Sequence, residues 1–273
     1  MTNRHRTAAN HVLSDSDWLD LHFEACRPEY EAMLASAGFQ RGWSVLDAGC
    51  GNGAYVPLIQ QYVGPTGRVV ALDFDVVNAD LVSRVTRVPA AVGSIRDLPF
   101  ASRQFDGLWC ANVAQFLSDA DFPTCLQEFL RVVVPGGGVV VKDVDMTATR
   151  FYPGDPFLLS HLSEVSFRMK GAPPETRGSL RGRELRRWLE AAGFEDVVQR
   201  THVIERWAPL SHMESEFMAQ WLSYLAEIAI ERGVCPEDEL AWRDMAADGG
   251  RPFVSRPDFY VCEVQVVAKG TAP

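Results

Sequence analysis

The 273-residue sequence contains no C-x-x-C pair, and its six cysteines (Cys26, Cys50, Cys110, Cys125, Cys235 and Cys262) are widely scattered. That spacing excludes a zinc knuckle and a disulfide framework and marks them as reduced thiols. Basic residues are also in deficit, 26 Lys and Arg against 36 Asp and Glu, for a net charge of -10. Nucleic acid and anionic membrane surfaces are therefore not expected partners. No apolar run approaches the ~20 residues that cross a bilayer, and residues 1–10 are polar without the apolar segment of an export signal, so a cytoplasmic location is expected. There is no H-x-x-x-H pair, Asp-rich run or Cys/His cluster with ligand spacing, so no metal is expected. No G-x-S-x-G elbow suggests hydrolase chemistry. Small-molecule chemistry is the class left.

What is present is alternation. From Trp43 onward, short apolar runs at 44–48, 68–73, 90–92, 105–111 and 138–144 read as strands, and helical patterns at 54–62, 76–87 and 121–132 separate several of them. That order predicts an α/β fold with a parallel sheet covered by helices on both faces. Ahead of it, residues 1–42 read as a helical cap of two short helices, the first capped by Ser14, Asp15 or Ser16 and the two divided at Pro28. A helix at 179–192, a strand at 197–207 and a final strand at 259–268 complete the chain. We therefore expect one domain over 43–273 with insertions at 145–178 and 208–257, long connections of the kind that form binding loops or lids.

The segment Val45-Leu-Asp-Ala-Gly-Cys-Gly-Asn-Gly53 is an apolar strand running into three glycines spaced by two. A ligand can press on the backbone there because no Cβ intervenes, and the following helix offers unpaired amides. Gly49, Gly51 and Ala54 also satisfy the dinucleotide fingerprint G-x-G-x-x-G/A. Asp47 separates the two readings: its carboxylate would repel a pyrophosphate, whereas S-adenosyl-L-methionine (SAM), with an amino group and a sulfonium, gains from it. Asp73, at the end of the second strand, can accept both hydroxyls of a ribose, a group common to both cofactors.

Three segments in order resemble the class I SAM-dependent methyltransferases, in particular the group that includes ubiquinone and menaquinone biosynthesis methyltransferases. They are VLDAGCGNG (45–53), GSIRDLPFASRQFD (93–106) and EFLRVVVPGGGVVVKD (128–143). The resemblance extends to Ser179–Val198 in general form and is poor elsewhere. It implies a Rossmann-like, doubly wound seven-stranded sheet of order 3-2-1-4-5-7-6 with strand seven antiparallel. It also implies that Asp47, Ala48, Gly49 and Gly51 contact the methionine part, Asp73 the ribose and Phe74 the adenine face. Ser94 and Ile95 would flank the adenine, Asn112 would line the cleft near the methyl group, and Arg27 is the candidate partner for the SAM carboxylate. The family commonly has Asp where this chain has Ser94, so the contact to the adenine amine loses charge assistance.

Methyl transfer relies mainly on alignment, and a general base is needed only when the acceptor must lose a proton. His161 and Glu164, three apart on a helical pattern beside Leu158, Leu162 and Val165, are the candidate catalytic pair; an exposed polar pair is the alternative. His202 and Glu205 are weaker, since a spacing of three on a strand sends them to opposite faces. The cationic run Lys170, Arg177, Arg181, Arg183, Arg186 and Arg187 reads either as a solvated face or as a greeting for an anionic substrate. Met213, Phe217, Trp221, Tyr224, Leu225 and Ile228 share one helical face, which is either core or the wall of an apolar acceptor pocket. The expected activity is methyl transfer to a small, largely apolar metabolite. A non-methylating reaction on the same fold, such as a cyclisation, is the alternative, and self-association stays open.

Overall fold

The computed structural model describes residues 15–168 and 174–273, so Lys170 lies outside the described residues. Helices α1 (Ser16–Ala25) and α2 (Arg27–Ala35) lead into β1 (Ser44–Ala48), α3 (Val56–Val63), β2 (Arg68–Asp73), α4 (Val76–Thr86), β3 (Ala90–Val92) and β4 (Phe105–Ala111). There follow α5 (Phe122–Val132), β5 (Val133–Val144), β6 (Arg150–Tyr152), α6 (Leu158–Arg168), α7 (Leu185–Ala192) and β7 (Glu195–Trp207). The chain closes with α8 (His212–Arg232), α9 (Glu239–Ala246), α10 (Arg251–Val254) and β8 (Tyr260–Thr271). It divides into two compact units, a sheet unit of residues 28–145, 173–202 and 265–273 and a helical unit of residues 1–27, 146–172 and 203–264.

In the sheet unit β1 pairs in parallel with β2 and β4, β2 with β3, and β4 with β5. Residues Gly138–Val144 of β5 then pair antiparallel with Gln265–Thr271 of β8. Apolar runs make these strands because both faces are covered: Val45, Leu46, Leu108, Trp109 and Val139 to Val141 are all buried. α5 shows how a helix is laid on such a sheet. Pro123 starts it, and Phe122, Cys125, Leu126, Phe129 and Val132 recur at helical spacing on its buried face. Truncating one such aromatic, Phe129, to alanine costs about 3–5 kcal/mol.

The expected order is found as β3-β2-β1-β4-β5-β8, with β7 pairing β8 and the last strand antiparallel to β5. Among the described residues the sheet has eight strands rather than seven. The addition is β6, whose Arg150, Phe151 and Tyr152 pair antiparallel with Cys262, Val261 and Tyr260. The helix expected at 179–192 is shorter: α7 starts at Leu185, and 3-10 turns occupy Pro174–Leu180 and Gly182–Glu184. Gly178 and Gly182 lie against backbone there. A Cβ on Gly178 would overlap the Gln115 carbonyl, and one on Gly182 would come within 2.5 Å of the Val144 carbonyl oxygen.

In the helical unit, α8 is started by a reciprocal capping box between Ser211 and Glu214 and stopped by Gly233 in a left-handed conformation. Its aromatic face divides. Phe217 is buried, stacked on His22 at 4.6 Å and tilted against Trp18 at 5.4 Å, both of α1, whereas Trp221 is only half-buried and stacks on Phe217 at 6.3 Å. Phe217 and Leu225 are thus core of this unit. Arg206 donates twice to the Ala25 carbonyl and pairs with Glu214 at 2.6 Å. Among the described residues no helix is long and apolar enough to cross a membrane.

Candidate cofactor site

At the end of β1 the chain bends over β2, because the Gly49 and Cys50 amides both donate to the Leu72 carbonyl, at 2.7 and 2.9 Å. The bend is left-handed at every second residue, with φ of +79°, +53° and +85° at Gly49, Gly51 and Gly53. Space excludes side chains as firmly as conformation does. A Cβ on Gly49 would overlap Val113, and one on Gly53 would lie 2.8 Å from Val82. The result is a surface of bare backbone above the sheet.

Two carboxyl groups lie beneath this turn. Asp47 is 2% exposed, and its Oδ2 has no hydrogen-bond partner. Burial, followed by repulsion from Asp73, pushes its pKa up to about 8. Asp73 is 4% exposed and is also raised, again by burial. Its Oδ1 accepts from the Asp75 amide and its Oδ2 from the Gly51 amide, each at 2.8 Å. These hydrogen bonds tie β2 to the glycine turn, and the Asn78 side chain hydrogen-bonds to the same carboxylate. The influences that lower Asp73 are hydrogen bonds rather than a cation, and none lowers Asp47. A buried acid pair of this kind, once ionised, attracts a cation and repels a pyrophosphate. The Cys50 thiol is driven up by burial and by both carboxylates, which keeps it protonated and unreactive.

Because β1 to β4 run parallel, their C-terminal ends share one edge, where open α/β sheets bind ligands. The edge collects Asp47, Ala48, Gly49, Gly51, Asp73, Phe74, Ser94, Ile95 and Asn112. Phe74 is 51% exposed just beyond Asp73, a free aromatic face. The Ser94–Ile95 turn is tied to β2 by the Gly93 amide on the Asp73 carbonyl at 3.0 Å. Ser94 Oγ accepts from the Arg96 amide at 3.1 Å, so part of its accepting capacity is used locally, while Ile95 is buried. Asn112 follows β4 with φ of +58°, a conformation that asparagine tolerates better than most residues.

The other sequence-derived candidates belong to the helical unit. Arg27 Nε donates to Glu24 Oε2 at 2.8 Å, and the guanidinium lies 5.0 Å from the Phe23 ring centroid. His161 Nδ1 is 2.6 Å from Asp238 Oδ2, and Glu164 is exposed. Sequence reasoning missed two groups of potential metal donors among the described residues, whose ligand atoms come within 4.8 Å of one another: His22, Cys26 and Glu263, and His161, Cys235 and Asp238. The i,i+4 spacing of His22 in α1 and Cys26 at its C-cap was the available signal.

It also missed the buried ions around the segment after β4. Lys142 has no exposed surface, and its Nζ donates to Asn112 Oδ1 at 2.6 Å. Asp143 accepts from the Gln115 amide at 2.8 Å, and burial lifts its pKa to about 6. Arg181 is neither solvated nor free to greet a substrate. It is 3% exposed, donates to the Ala114 and Leu117 carbonyls at 2.9 and 2.7 Å, and pairs with Asp119.

A family model described as a methyltransferase domain matches residues 45–137. An uncharacterised 37.1 kDa protein in transposon Tn4556 of Streptomyces fradiae is 28% identical over 257 residues, 91% of this chain and 68% of that protein. Demethylmenaquinone methyltransferase of Staphylococcus aureus (strain JH9) is 30% identical over 128 residues, 44% of this chain and 51% of that protein. The chain thus spans about half the length of that relative. Among solved structures, the YcgJ protein from Bacillus subtilis matches with a TM-score of 0.55 at 16% identity, covering 90% of this chain and 99% of that one, a likeness of fold. Residues 45–137 match a methyltransferase domain, and the sheet order and glycine turn around them are those of the class I SAM-dependent methyltransferase fold. In sequence the chain is similar to the menaquinone-biosynthesis group, and its cofactor is SAM.

Proposed function

We propose that the chain transfers the methyl group of SAM to a small, largely apolar organic acceptor. The observation that carries this reading is the buried, unpartnered Asp47 oxygen beneath a turn of three left-handed glycines. Bound at this edge, SAM supplies a methyl group activated by its sulfonium. Asp47 and the turn would hold the cationic methionine part, and the Asp73 carboxylate at the end of β2 would accept the ribose hydroxyls. Phe74 would cover the adenine and Ser94 receive its amine. Asn112, on the segment after β4, would face the acceptor. For an acceptor that must lose a proton, His161 is the base we propose: a proton on Nδ1 shared with the buried Asp238 leaves Nε2 free to accept. Glu164 is its companion one helical turn on. The formal charge of -10 disfavours a polyanion such as nucleic acid as the acceptor.

Incubating the protein with methyl-labelled SAM and a panel of small metabolites tests this. Label in an organic product with matching S-adenosylhomocysteine (SAH) supports methyl transfer. Conversion of a panel member while SAM keeps its label would establish a non-methylating reaction instead.

A further inference from the structure

We propose that Lys142 is a positioning residue on the acceptor side of the cleft, orienting the Asn112 carboxamide so that its NH2 edge is presented to an oxygen of the acceptor. This rests on the methyltransferase reading and narrows its substrate class to molecules carrying a hydroxyl, carbonyl or carboxylate oxygen.

An ammonium with no exposed surface is costly on a strand whose neighbours are Val139, Val140, Val141 and Val144, and it must be held by specific partners. Its Nζ donates to Asn112 Oδ1 at 2.6 Å and stands 3.6 Å from the centroid of the Tyr30 ring. The carbonyl of the same lysine accepts from the Asn112 amide at 2.8 Å. Lys142 therefore grips Asn112 by backbone and by side chain, at a residue whose φ of +58° needs such support. The Asn112 carbonyl is occupied in turn by Gln115 Nε2 at 3.3 Å.

The chemical consequence comes from the donor inventory. An ammonium can only donate, so the side-chain atom facing it must be the amide oxygen and not the nitrogen. With Oδ1 turned inward, Nδ2 is left on the outer side of a half-buried residue. The next residue, Val113, lies against Gly49, which sets this NH2 beside the glycine turn. The charges around Lys142 preserve the arrangement. Asp143 is engaged by the Gln115 and Val144 amides. His202 has an enclosed, unpartnered Nε2 and is lowered by burial, then by Lys142 and Arg200, which keeps it neutral. A polar NH2 aimed out of a network whose Lys142 and Asp143 are engaged selects an acceptor atom in its partner.

The test uses 15N-labelled full-length protein loaded with SAH, titrated with benzoate, phenol, benzylamine and toluene. SAH binding is measured first by calorimetry, and its absence would sink the methyltransferase reading itself. With SAH bound, benzoate and phenol should shift the Asn112 side-chain NH2 signals and toluene should not. Lys142→Met should weaken benzoate at least tenfold while SAH affinity moves less than threefold, and Lys142→Arg should restore part of the loss. Asn112→Asp keeps a partner for Lys142 but loses the donor, so the ratio of benzoate to benzylamine affinity should fall at least tenfold. This variant decides the matter if Lys142→Met does not fold. Unmoved Asn112 NH2 signals, or an unchanged ratio in folded Asn112→Asp, would overturn the inference and leave the methyltransferase reading standing.

Discussion

Replacing Asp47 by asparagine removes a carboxylic acid that titrates at about 8 in the folded protein and near 3.8 in the unfolded chain. Between those values the folded state carries a proton that the unfolded state does not. The stability associated with this group is therefore fully present below pH 4, is lost as pH rises toward 8, and falls no further above that. One pKa unit is about 1.4 kcal/mol, so the loss at pH 7 is on the order of 4 kcal/mol. Asparagine carries no such proton. At pH 8, Asp47→Asn should melt higher than wild type, by on the order of 10 °C at ~2–4 °C per kcal/mol, and the gap should close toward pH 4. Removing the charge also relieves Asp73, which acts in the same direction. SAM binding should show the converse. At pH 7 roughly nine-tenths of Asp47 is protonated, and the cationic methionine part favours the carboxylate, so binding should expel nearly one proton. Calorimetry in buffers of different ionisation enthalpy reads that proton directly. Wild-type affinity should climb as pH rises to about 8 and then level, while Asp47→Asn binds more weakly with no such slope. A flat wild-type affinity, joined to an Asp47→Asn variant that melts no higher at pH 8, would refute the argument.

Three further outcomes are expected. Asp73→Ala should weaken SAM binding by about 1.5–3 kcal/mol in calorimetry, the range for hydrogen bonds to a charged group, and should lower the melting temperature because the Gly51 amide loses its acceptor; unchanged affinity in a folded variant would remove the ribose role. Gly49→Ala, at φ of +79° and against Val113, should cost about 1–3 kcal/mol in denaturant unfolding, and Val113→Ala in the same chain should recover only the steric part. Phe217→Ala should cost about 3–5 kcal/mol by melting and Trp221→Ala clearly less, because only the first is buried against α1; equal costs would contradict that division of the α8 face.

Strand positions were legible because a strand buried on both faces must be apolar throughout, and here each such run is bounded by residues that cannot continue it. β1 to β4 accordingly start and end where the apolar runs do. The glycine turn was legible for a related reason: a left-handed bend against Val113 and Val82 admits no other residue, so its chemistry is written in composition. β6 was hidden. Three residues in a stretch rich in Pro and Gly carry too little alternation to register, and their strand character comes from the partner, Tyr260–Cys262. The early part of the 179–192 helix pattern misled for the opposite reason. Its periodicity is real, but Gly182 is pressed onto Val144 and Arg181 is drawn inward, and these contacts hold the chain in 3-10 turns until Leu185.

The segment after β4 shows most clearly where sequence reading stops. Asn112 to Asp119 has no apolar period, and the three charges that fix it arrive from elsewhere: Lys142 and Asp143 from β5, and Arg181 from the turns ahead of α7. Their partners are mainly backbone carbonyls and amides, which any residue supplies, so no pairing of side-chain types betrays the contacts. In sequence Lys142 looks like the solvated end of a strand and Arg181 like one member of a charged face. In the fold they are among the most enclosed side chains, and each is enclosed because its charge is spent on the loop. Removing any one of them strands the others or the loop groups they satisfy, and an uncompensated buried charge costs about 3–5 kcal/mol. A loop held this way has little freedom to adapt to its ligand. On the proposed reading, the donor at Asn112 would be fixed before the acceptor arrives, and alignment of that kind is the main thing methyl transfer requires.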